Sequence, residues 1–113
     1  MTNVAAPKFP SSVKVMGRTI PIKKLDDDKM EGSGHYIEHD VEILVAKGQK
    51  EIEEMDVLLH ETIHAIDYFL DLELSERQVR LIATALIGVF QDSPEFIKFI
   101  SRPIGAVHNR AAD

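Results

Sequence analysis

Twenty consecutive residues, 51–70 (EIEEMDVLLHETIHAIDYFL), place apolar side chains at Ile52, Met55, Leu58 or Leu59, Ile63, Ile66 and Phe69 or Leu70. That recurrence lies close to 3.6 residues, so the segment predicts an amphipathic α-helix, and its acidic first turn complements the helix dipole. Deep inside it runs His60-Glu61-Thr62-Ile63-His64, an HExxH motif. Two histidines four residues apart on a helix differ by about 40° around its axis, so both imidazoles project from one face, one turn apart. That places both within reach of a single metal ion, with Glu61 next to it to bind and deprotonate an attacking water. Chance supplies about 0.02 such motifs in a chain with 5 His among 113 residues, before the helical setting is considered.

The chain around this helix is short. Its 113 residues suit one domain, and 44% apolar with 28% charged residues suits a folded protein. There is no cysteine, which excludes disulfides, thiolate metal sites and cysteine catalysis, so any metal must be held by His, Asp or Glu. A formal charge of −6 argues against nucleic acid as a partner. The longest strongly apolar stretch, 81–90, is about half of what spans a bilayer, and the opening MTNVAAPKFPSS has no apolar leader core. The expectation is a cytoplasmic protein with no membrane partner.

Before the helix, residues 1–12 read as an arm with Pro7 and Pro10. Residues 13–25 read as one or two short strands with a turn at Met16-Gly17-Arg18, and Pro21 suits a sheet edge. The acidic run from Asp26 lacks the ligand spacing of a calcium loop and reads as a solvated turn. Residues 35–46 (HYIEHDVEILVA) read as a strand pair or one kinked strand, with Val41, Ile43 and Val45 on one face, ending at Lys47-Gly48. After the helix, Ser75 and Gln78 form a capping box for a second helix over 76–91, with Val79, Ile82, Ala83, Leu86 and Phe90 inward. Ser93-Pro94-Glu95 starts a short third helix, and 102–113 read as a tail. Strands followed by helices define an α+β domain over 13–101.

A hydrolytic zinc site usually takes three protein ligands. The candidates for the third are Asp67, Asp71, Glu73 and Glu76, with the distant histidines as outsiders. Asp67 shares the face of the histidines but lies a further turn away, a better position for orienting an imidazole. Asp71 and Glu73 fall in the connection. Glu76 opens the next helix, and the short connection lets that helix fold back beside the first.

The run LLHETIHAIDYFLDLELSERQVRLIATAL resembles the core of short gluzincin-type metallopeptidases, the ImmA/IrrE-like and SprT-like groupings and their small phage and prophage relatives. The resemblance covers about Val41 to Phe99 and implies His60, His64 and Glu76 as metal ligands, Glu61 as general base and one Zn2+ per chain as cofactor. It also implies a minimal zincin-like α+β fold: a small antiparallel or mixed sheet packed on the HExxH helix, then a helix carrying the third ligand. Its implied activity is zinc-dependent hydrolysis of peptide bonds, with an extended protein or peptide substrate lying along an edge strand near Val41–Ala46. The competing reading is a catalytically weak or inactive metalloprotein acting as a partner-binding or regulatory module of the phage type. His35, Tyr36 and His39 are candidates for stabilising an oxyanion. Tyr68 reads as core or rim, and His108 lies in the tail.

Overall fold

A computed structural model describes residues 7–26, 28 and 42–104, and the backbone of 34–37. His39, Val41 and His108, and most of the acidic loop, lie outside the described residues. Four strands, β1 (Ser12–Val15), β2 (Arg18–Leu25), β3 (Gly34–Ile37) and β4 (Glu42–Ala46), precede three helices, α1 (Glu51–Leu70), α2 (Glu76–Asp92) and α3 (Pro94–Ile100). The fold is α+β, with a mixed sheet in the order β1-β2-β4-β3.

β1 and β2 form an antiparallel hairpin around Met16 and Gly17, both at positive φ (52° and 82°). Two such residues in succession match the twist of the flanking strands, and the glycine takes that conformation without a Cβ clash. β2 then runs parallel to β4, and β3 pairs antiparallel with β4. The chain therefore skips one place after β2, forms the outer strand β3, and returns to fill the gap with β4.

Two sequence expectations change here. Glu42–Ala46 is an interior strand, paired on both sides, and the edge beside it is β3. Pro21 likewise sits in an interior strand. The Ile22 N–H donates to Ser11 O at 2.9 Å, so Pro21, one residue earlier, turns its donorless nitrogen to the other side of β2. Pairing with β4 begins only at Ile22, so no ladder bond is lost.

Period two buries one face of the sheet: Val15, Ile20, Ile22, Ile43 and Val45 form its core, with Ala65 of α1. Val57, Leu58, Ile66 and Phe69 add to that cluster from α1, and Phe9, within the stretch read as an arm, packs on it too. Lys24 on β2 pairs with Glu54 of α1 at 2.7 Å. A second cluster joins α1 to α2: Ile63, Val79 and Ala83, flanked by Leu59, Leu74 and Leu86. Helix α1 is thus the central layer. Leu58 faces the sheet and Leu59 faces α2, so both of the alternatives left by periodicity are used.

Two positions expected inward on α2, Ile82 and Phe90, are about two-fifths exposed, because α1 covers only the arc around Val79 and Ala83. Ile52 and Tyr68 of α1 are also exposed. The capping box of α2 forms as expected: Gln78 N–H donates to Ser75 Oγ at 3.1 Å, and Ser75 N–H donates to Gln78 Oε1 at 2.8 Å. Pro94 opens α3, but the Ser93 side chain makes no cap bond. Among the described residues, no helix is long and apolar enough to cross a membrane.

Candidate metal centre

The site is built from one row of α1 and the first residue of α2. His60 and His64 project from α1 between the arc that meets the sheet and the arc that meets α2. Their Nε2 atoms are 3.2 Å apart and their rings meet edge to face. The Glu76 carboxylate reaches both: Oε1 lies 2.6 Å from His60 Nε2, and Oε2 lies 3.0 Å from His64 Nε2.

The donor set could hold a metal ion. Four-coordinate zinc with bonds of about 2.0–2.1 Å sets its ligand atoms about 3.3 Å apart. The two imidazole nitrogens, 3.2 Å apart, match that spacing, and each has a different Glu76 oxygen beside it, at 2.6 and 3.0 Å. Among the described residues this is the group that brings three such ligand atoms together, all within 4.8 Å of one another. The side chains of His60 and His64 are 18% and 27% exposed and that of Glu76 is 63% exposed, so the group opens toward solvent on its carboxylate side.

Among the described residues Glu61 is the buried acid, 6% exposed. It follows His60 by about 100° around the helix, on the side of Ala65 and Leu58, hence of the sheet. The His pair is therefore flanked by Glu76 from the α2 side and by Glu61 from the sheet side.

The connection between α1 and α2 explains why Glu76 arrives there. Asp71 ends α1 in the left-handed region (φ 51°, ψ 52°), and its N–H donates to Asp67 O. Leu72 N–H also donates to Asp67 O, at 3.3 Å, and Glu73 takes φ 58°. Two left-handed residues in three reverse the chain within four positions, and Leu74 tucks into the α1–α2 cluster just before the Ser75 cap.

Of the other third-ligand candidates, Asp71 and Glu73 are the residues that make this turn and are exposed. Asp67 does not orient an imidazole: its Oδ1 accepts from the Leu74 N–H at 3.3 Å. Periodicity missed this role, although an aspartate one turn from a helix end is an available acceptor for the N–H groups of the following turn. His35 and Tyr36 lie on the edge strand β3, at the register of Leu44 and Ile43.

Comparison with protein-family models, with curated proteins and with solved structures yields no match.

Proposed function

We propose that the protein is a zinc-dependent peptidase that hydrolyses peptide bonds in an extended protein or peptide segment. The observation that carries this reading is the convergence of both HExxH histidines with Glu76 from the next helix, Glu61 lying beside them on the same helix. Zinc held by such a set supplies Lewis acidity, which polarises a carbonyl and acidifies water. His60, His64 and Glu76 would hold the ion. Glu61 accepts the proton of the attacking water and returns it to the departing amine, so carboxylate and carboxylic acid alternate at one side chain. Among the described residues β3 is the edge strand beside β4, so we take 34–37 rather than 41–46 as the strand whose backbone an extended chain would join.

The test is cleavage of a panel of unfolded proteins with zinc present, comparing wild type with Glu61→Gln. Loss of at least about a hundredfold in rate is expected for the variant. Indistinguishable digests from the two proteins would remove the peptidase reading and leave the partner-binding module.

A further inference from the structure

We propose that the protein forms a two-fold homodimer through the face of α2 that α1 leaves uncovered. This inference does not depend on the metal site.

The apolar residues of α2 span more than one packing face. Val79 and Ala83 are fully buried against α1. Leu81, Ile82, Ala85 and Val89 lie roughly 120° farther around the helix, and all four are exposed. A helix resting on one neighbour needs an apolar stripe only about 100° wide. α2 therefore carries surface for two neighbours along its length and, among the described residues, rests along one, α1.

Helix α3 adds to the imbalance. It has 7 residues, none buried, and presents Phe96, Phe99 and Ile100 at 54, 67 and 61% exposure. Helices this short are marginal in water without tertiary contacts. On α2 itself Leu81, Ile82 and Val89 are 48, 39 and 38% exposed.

The charge pattern points to a second copy as the occupant. Leu81 and Val89 lie four residues either side of Ala85, so an antiparallel pairing of α2 about a two-fold axis at Ala85 sets Leu81 of each chain against Val89 of the other. The small Ala85 side chain allows close approach at the crossing. Arg77 and Asp92 flank the same side of this stripe, eight residues before Ala85 and seven after it. A two-fold axis of this kind brings each Arg77 to the other chain's Asp92. Among the described residues neither has an ion-pair partner within its own chain.

Sedimentation velocity of the full chain over about 5–200 µM tests this. The expected wild-type mass is twice the 12.7 kDa of one chain. Leu81→Glu should sediment as one chain with unchanged helical circular dichroism, and Val89→Glu serves if that variant loses helix. Arg77→Glu should raise the dissociation constant by at least about tenfold, and Arg77→Glu with Asp92→Arg should restore it. A single-chain mass for wild type throughout, a dimer indifferent to both stripe substitutions, or a double variant no better than Arg77→Glu would each overturn the proposal. A wild-type monomer that binds anionic vesicles would give the face to a membrane instead.

Discussion

Asp67 and Leu74, seven residues apart, are joined by a 3.3 Å hydrogen bond from the Leu74 N–H to the Asp67 carboxylate. The bond spans the whole reversal between α1 and α2. The backbone carbonyl of the same aspartate receives the N–H groups of Asp71 and Leu72. One residue thus holds both ends of the turn that delivers Glu76 to the histidine pair. Asp67→Ala should cost about 1 kcal/mol of stability. It should also weaken zinc affinity by about tenfold, the range found when a group supporting a metal ligand is removed. Asp67→Asn, which keeps an acceptor oxygen, should recover most of both. Competition against a chromophoric chelator measures the affinity, and wild-type affinity in Asp67→Ala would show that the turn holds Glu76 without this bond.

Glu73 sits at φ 58° with neither the short side chain of aspartate nor the freedom of glycine. The left-handed region costs an ordinary residue roughly 1–2 kcal/mol. Glycine there relieves that cost but loses about 0.5–1 kcal/mol of chain entropy on folding. The expected net effect of Glu73→Gly is a gain of about 0.5–1 kcal/mol, seen as a melting temperature higher by about 2–6 °C. A lower melting temperature would mean that the Glu73 side chain contributes more than its backbone strain removes.

The helices were legible because their signals are local. Residues 51–70 carry one unbroken period, and Ser75 with Gln78 marks the start of α2 unambiguously. The strand pair and the Met16-Gly17 turn were legible for the same reason. Strand order was not. Val41–Ala46 precedes the helix directly, and nothing local records that β3 takes the edge while β4 fills the space beside β2. The inward set of α2 was overdrawn, since Ile82 and Phe90 fit the helical period but α1 is too narrow to cover them. In the site, helix geometry put His60 and His64 together and left Glu76 as one of several third-ligand candidates that the resemblance singled out, whereas the use of Asp67 depends on the left-handed conformation of Asp71 and Glu73. Neither residue is a glycine that would have advertised it.

A metal bound by groups from two helices links α2 to α1 in the native state alone. Added zinc should therefore raise the melting temperature, with about 2.7 kcal/mol of stabilisation at a free concentration one hundred times the dissociation constant. Elemental analysis of untagged protein purified without chelator should find one metal per chain. Glu76→Ala removes a solvent-exposed carboxylate and should retain the fold while losing most of the metal and of the zinc-dependent stabilisation. Equal zinc content in the two proteins would mean that another group completes the site. A melting temperature indifferent to both zinc and chelator would argue that the three side chains hold no metal.

Acid should weaken the site with a definite sign. Both imidazoles must offer an Nε2 lone pair to the ion, and Glu76 must be a carboxylate, so binding is coupled to proton release from whichever of these groups is protonated beforehand. Each bound proton stabilises the metal-free form relative to the metal-bound form. Affinity is therefore highest on the alkaline side and falls as pH is lowered from about 8 to 5, and the slope of log affinity against pH counts the protons displaced. Zinc titrations across that range, buffered with a chelator of known pH dependence, supply the slope. His64→Ala should flatten it as well as weaken binding, because it removes one of the two competing imidazoles. A pH-independent affinity in the wild-type protein would exclude coordination through His60 and His64, and with it the peptidase chemistry proposed for Glu61.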